Sequence, residues 1–285
     1  MGVHYYALIS ISVIMFGTTF LFKRKFKESM GSGADATFIS TLIAGVVGLI
    51  TFLIINKAEF DFTPFTFIMA FLSALNGILF SFCTLKAFES INLSLYSVFS
   101  MLGGMMLPFV YGMIFRGEPF TLPKTVCVIF ILFALLITIE KGHKKGVFAY
   151  YAGVFILNGM SGVLSTIHQS APFPTTNSAV YSIWISVISI IISIFVLIII
   201  RKNLKKPSMS AILYSAGSGV LNRIANYLLL IALIKLDASL QYPFVTGGTM
   251  IVSTFFSAVT GQKPSWRELV SVALSFIGIL ALVLL

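Results

Sequence analysis

The stretch GVLNRIANYLLL, residues 219–230, sets one permanent cation in an otherwise apolar run. Arginine stays protonated and presents a planar fork of donors, a geometry that grips a carboxylate or phosphate through two parallel hydrogen bonds. At helical spacing Asn222 and Asn226 fall beside Arg223, Tyr227 falls at the edge of the same stripe, and Ser215 and Gly219 extend it. The amides could orient an acidic ligand and the tyrosine ring could cover its apolar part. Two readings stay open: a cavity cation that binds an acid, or a structural arginine bonded to carbonyls or snorkelling to water. A charge at the centre of a bilayer costs at least ~2.5–3.5 kcal/mol, so either reading requires a cause.

Other stretches carry comparable stripes. Tyr242, Thr246, Thr249 and Ser253 recur at steps of four, three and four, and Asn158, Ser161, Ser165 and His168 share a face. Ser73, Asn76 and Cys83 form a third group. Ser97, Gly104 and Tyr111 form a fourth, with Met101 and Met105 beside them and Pro108 freeing a carbonyl. In a membrane such groups turn toward partners or toward a water-filled space, although Ser and Thr equally bond their own backbone. His168, just before QSAPFP, reads as interfacial, and Trp184 as an interface anchor or a stacking ring. The substrate-binding candidates are therefore Arg223, Asn222, Asn226, Tyr227, Tyr242, Thr246, Thr249, Asn158, Ser161, Asn76, Ser97 and Met101.

These groups must be positioned by membrane helices. The chain has 285 residues, 58% hydrophobic and 10% charged, with a mean hydropathy of +1.02. A soluble domain carries about 25% charged residues. Apolar runs of membrane-spanning length recur throughout, which specifies an all-α integral membrane protein. Breaks at charges, Pro and Gly predict ten transmembrane helices, near 3–22, 35–55, 65–86, 93–115, 122–140, 147–167, 177–200, 210–233, 238–260 and 266–284. MGVHYYALIS lacks the basic region and cleavage site of a signal peptide, so the first span is expected to be retained. Cys83 and Cys127 fall inside predicted spans and read as packing residues, without a disulfide or metal.

The chain also repeats itself. A shift of 142 residues aligns Gly17 with Gly159, Asp35 with Asn177, Ser40 with Ser182, Ser73-Ala74 with Ser215-Ala216, and Gly77 with Gly219. After a small insertion, shifts of 145 or 144 align Ser94-Leu95 with Ser239-Leu240, Phe99 with Phe244, and Gly103-Gly104 with Gly247-Gly248. Two five-helix halves follow, residues 1–141 and 142–285. Because five is odd, the second half must enter the membrane in the opposite sense. Inverted repeats of this kind are a recurring design of secondary transporters, with the substrate site near the midplane.

The net charge of +10 sits mostly in short connections, which argues against nucleic acid as a partner. On one side lie Lys23, Arg24, Lys25, Lys27, Lys86, Lys141, Lys144, Lys145, Arg201, Lys202, Lys205, Lys206, Lys263 and Arg267; on the other lie only Lys57, Arg116, Lys124 and Lys235. That bias predicts both termini outside the cytoplasm. The nine acids, Glu28, Asp35, Glu59, Asp61, Glu89, Glu118, Glu140, Asp237 and Glu268, all lie at or near predicted helix ends. A mid-membrane carboxylate of the kind that exchanges protons for cationic drugs is absent, which favours an anionic or zwitterionic cargo. Nucleophile–base pairs, metal-ligand clusters and phosphate loops are also missing from the sequence, so no enzyme activity, cofactor or ATP drive is expected.

MFGTTFLFKRKF, with Phe16-Gly17 where Trp-Gly is usual, and KAFESINLSLYSVFSMLGGMMLPFVYGMIFRGEP, ending in Gly117-Glu118, resemble the drug/metabolite transporter superfamily, EamA-type ten-helix class. Gln262 of GQKP stands where that Glu would recur in the second half. The resemblance spans nearly the whole chain. It implies alternating access around a central cavity lined by the first, third, fourth, sixth, eighth and ninth helices. It also implies termini in the cytoplasm, against the charge count.

The expected function is secondary transport of a small amphipathic metabolite, amino-acid-like or otherwise a carboxylate or zwitterion. The expected setting is the plasma membrane of a bacterium, the lipid bilayer and a small-molecule substrate being the only partners and the chain a monomer or homodimer. The alternatives are a lipid-headgroup flippase, in which Arg223 would meet a headgroup, and a multidrug exporter of the same superfamily.

Overall fold

The computed structural model describes residues 3–117, 121–138, 147–201, 204–233, 238–261 and 264–284. They form ten helices: α1 (Val3–Met30), α2 (Ala34–Ile55), α3 (Pro64–Ala87), α4 (Leu93–Phe115), α5 (Leu122–Thr138), α6 (Val147–Gln169), α7 (Ser178–Ile199), α8 (Met209–Leu233), α9 (Ala238–Val259) and α10 (Trp266–Leu284). Six of these, α1–α4, α6 and α7, are long and apolar enough to cross a bilayer. The chain is thus a helical, multi-pass membrane protein, with no strand among the described residues. Large apolar side chains such as Ile14, Ile50, Leu79 and Phe195 point outward, as a lipid solvent allows.

Most helix bounds fall within two residues of those expected. The exception is α1, which runs eight residues beyond residue 22, through a stretch that reads as a loop because of its charges. The extension is amphipathic. Phe26 and Met30 are buried against Ala36, Ile39, Leu85 and Ala211. Arg24 and Lys25 pair with Glu28 at 3.1 and 2.9 Å on the outer face. Gly31, at φ +91°, ends the helix in the left-handed region, its N–H donating to Lys27 O.

Contacts set the direction of each helix. Ser40, Ala44, Gly48 and Phe52 of α2 meet Ser215, Gly219, Arg223 and Tyr227 of α8, so these two helices run parallel. Ser12 bonds Ala225 O while Phe22 lies on Gly217, so α1 runs antiparallel to α8. Gly45 meets Ile190 and Gly48 meets Ser186, so α7 opposes α2. Val13 meets Gly248 and Val252 meets Gly17, which makes α9 parallel to α1. Asn76 bonds Ser161 while Thr66 bonds His168, so α3 opposes α6. Gly103 meets Phe155 and Pro108 meets Gly162, so α4 runs with α6.

The two main slabs are α1·α8 and α3·α6, bridged by α2·α7 on one side and by α4·α9 on the other, with α5·α10 beyond. α1–α6 and α3–α8 are not among the helix pairs in substantial contact, so the slabs face each other across the centre. Exchanging α1–α5 for α6–α10 turns α1·α8 into α3·α6, α1·α9 into α4·α6, and α2·α8 into α3·α7, all of which pack. The aligned glycines occupy the matching places. A Cβ on Gly17 would strike Val252 of α9, and one on Gly159 would lie 2.6 Å from Leu107 Cβ of α4. Small residues let membrane helices approach closely where no hydrophobic drive exists between them.

Both ends are tied. At one, the Ser32 hydroxyl donates to Glu89, which also pairs with Lys86 at 3.1 Å, and Asn92 Nδ2 donates to Glu268 at 2.7 Å. Ser32, with Lys86 and Lys27 nearby, holds the Glu89 carboxyl below the usual carboxylate range. At the other end His168, in the last turn of α6, is 2% exposed. Its ring stacks on Tyr181 and Phe65, and its Nε2 bonds Thr66 Oγ1 at 2.9 Å. A single hydrophilic residue at a helix end reads as wet, but here the following loop returns over it: Thr176 N–H also donates to Thr66 Oγ1.

Candidate anion site

Arg223 is one rung of the parallel α2·α8 ladder. The rungs are Ser40–Ser215 at 3.2 Å between hydroxyls, Ala44–Gly219 in backbone contact, Gly48–Arg223, and Phe52–Tyr227 with ring centroids 6.1 Å apart. The guanidinium needs the missing side chain of Gly48. A Cβ there would sit 3.1 Å from Arg223 Nε and 3.2 Å from Ser186 Oγ of α7. The Ser186 hydroxyl is committed to Ser182 O at 2.9 Å. Arg223 is half-buried, and among the described residues it has no ion pair and no hydrogen bond. One expectation for a structural arginine, a set of bonded carbonyls, is therefore not met within the described residues.

The neighbours on α8 divide. Asn226 is exposed and donates to Asn222 O at 2.7 Å, so the two amides form one short strip beside Arg223. Tyr227 packs edge-on against Phe52, beside Ala179 and Ile183. The remaining candidates lie elsewhere. Asn76 donates to Leu157 O and Ser161 Oγ, at 2.9 and 2.8 Å, and so pins α3 to α6. Asn158 donates to Ser100 O at 2.6 Å, pinning α6 to α4. Ser97 is fully buried and donates to Ser94 O. Thr246 makes a long 3.4 Å bond to Met101 O, and Met101 and Thr249 are both buried. Tyr242 belongs to α9, and its side chain lies outside the described residues.

One residue passed over in the sequence joins the site. Lys23 counted as a loop cation, yet on the extended α1 it is half-buried, its Nζ 4.9 Å from the centre of the Phe80 ring on α3. It lies within electrostatic reach of Arg223. Its neighbours Arg24 and Lys25 share Glu28, but Lys23 has no acidic partner among the described residues. The available signal was its spacing: Lys23 falls one turn past Thr19 and Phe20, which are both buried.

The described residues hold no group of three or more His, Cys, Asp or Glu able to bind a metal. What the arrangement offers is positive charge without counter-charge, next to amides.

No family model matches the chain. No curated protein matches it either. Among solved structures, one described only as the crystal structure of a protein is similar at a TM-score of 0.68 and 16% sequence identity, over 97% of this chain and 96% of that one. That likeness carries the fold alone.

Proposed function

We propose that the chain is a secondary transporter of the drug/metabolite type, EamA class, that carries a small carboxylate or zwitterionic metabolite by alternating access. The observation that carries this reading is Arg223: a half-buried cation in the middle of α8, without a counter-ion among the described residues, beside an amide strip. A ligand acid is the partner that would offset its cost. The two halves, α1–α5 and α6–α10, act as inverted repeats of one transport unit in this reading. Support comes from the opposite directions of α1 and α6, and of α2 and α7, and from the contacts that survive exchange of the halves. The ten helices would all cross the plasma membrane of a bacterium, with the termini outside by the Lys/Arg bias.

A panel of amino acids, other carboxylates, phosphorylated metabolites and cationic dyes tests this by thermal shift on the purified protein and on Arg223→Ala. A ligand at ~100 times its dissociation constant adds about 2.7 kcal/mol, which is readily seen. Acids should stabilise the wild type and not the variant. Stabilisation by dyes alone, or equal responses from both proteins, would rule the reading out.

A further inference from the structure

We propose that the site takes an organic dianion, a small molecule with two anionic groups, one held by Arg223 and the other by Lys23. This rests on the carrier reading above and narrows its cargo.

The geometry begins with helix direction. A helical side chain leans toward the N-terminus of its own helix. Because α1 and α8 run antiparallel, Lys23 and Arg223 lean toward each other. The Ser12–Ala225 bond sets residue 14 of α1 level with Arg223, and the Phe22–Gly217 contact sets residue 16 level with it. Lys23 is thus seven to nine residues along, about 10–14 Å at 1.5 Å per residue. Two long side chains leaning inward leave between them the span of a small molecule with an acid at each end.

The energetics point the same way. Lys23 rests on Phe80, but a cation–π contact is worth only ~0.5–2 kcal/mol and leaves the ammonium without an anionic partner among the described residues. Arg223 is a like charge within reach, so each raises the cost of the other. One anion would offset one of them and leave the second exposed.

The fold itself does not require these charges. Under the 142-residue shift, Lys23 corresponds to Ser165 on α6 and Arg223 to Ser81 on α3. The Gly48 that makes room for Arg223 corresponds to Ile190. The same pairing of helices is thus built on the other side with neutral residues. Both cations sit on one slab, α1·α8, and face α2 and α3.

The test compares succinate with its monomethyl ester as protectants of the full-length purified protein in thermal shift. It uses the wild type, Lys23→Gln, Lys23→Arg and Arg223→Ala. In the wild type a dianion should protect at roughly tenfold lower concentration than the monoester, about 1.4 kcal/mol. Lys23→Gln should remove that advantage, so that diacid and monoester protect at similar concentrations, while Lys23→Arg keeps it. If diacid and monoester protect the wild type equally, or Lys23→Gln weakens both alike, the dianion proposal is overturned. A monoester response that needs Arg223 would in that case leave the carrier reading standing; no protection by any acid would remove both. Should Lys23→Gln fail to fold, the wild-type comparison decides alone.

Discussion

Arg223 crosses α2 over the bare backbone of Gly48, where a Cβ would lie 3.1 Å from its Nε. The pairing of a large cation with a missing side chain is what lets α8 pack in register on α2 at this level. Substitution at Gly48 should therefore act on Arg223 before it acts on the fold. Gly48→Ala asks the guanidinium to shift by a few tenths of an ångström; Gly48→Val displaces it. Acid affinity should fall little for Ala and about tenfold for Val, a loss of ~1.4 kcal/mol, with both proteins monodisperse on size-exclusion chromatography. Unchanged affinity in Gly48→Val would show that the position of Arg223 does not matter to binding.

Gly103 behaves differently, because its neighbour is backbone. A Cβ there would lie 2.6 Å from the carbonyl carbon and Cα of Phe155, and Gly159 returns the contact from α6. Neither backbone can move as the tip of a side chain can. Gly103→Ala should destabilise by about 1–3 kcal/mol, the range for forced overpacking. A melting temperature equal to the wild type would mean that α4 and α6 are looser than this contact implies.

How much of this was legible beforehand depends on what hydropathy can see. Nine helices fall where apolar runs and Pro, Gly and charge breaks put them. α1 does not, since the charges at 23–28 mask an amphipathic turn whose buried face is only Phe26 and Met30. The same masking hid Lys23 among the loop cations. Arg223 stood out because its surroundings carry no other charge. Asn76 and Asn158 stood out equally, but one-dimensional spacing cannot distinguish an amide facing a ligand from one facing a neighbouring helix's carbonyl; only the α3·α6 and α4·α6 pairings show the latter. The burial of His168 is likewise not readable from spacing, as the loop that covers it is not an element that periodicity predicts.

Asn76 should accordingly stabilise rather than select. Asn76→Leu removes two bonds between α3 and α6 and should lower stability by about 1 kcal/mol, as interhelical hydrogen bonds in membranes do. The thermal shift caused by an acid should be preserved in size. Loss of that shift with stability intact would move Asn76 from the scaffold into the site.

The tie between Ser32 and Glu89 gives a pH signature at one end of the bundle. Its carboxyl is held below the usual range in the folded protein, so its contribution is complete above the unfolded value of about 4.3 and is lost as pH falls through the lower, folded value. The difference in melting temperature between wild type and Glu89→Gln should be constant from neutral pH down to roughly 5 and shrink below about 4. A difference that instead changes between pH 6 and 8 would mean another group controls that end.

The central claim is that Arg223 binds the acid that is carried. Solid-supported-membrane recordings on proteoliposomes test it directly, with concentration jumps of succinate, monomethyl succinate, glycerol 3-phosphate, a neutral amino acid and a cationic dye on wild type and Arg223→Gln. The account predicts a transient current on an acid jump in the wild type and none in the variant, with equal protein incorporated. Currents evoked only by the dye, or acid currents of the same size in both proteins, would contradict it.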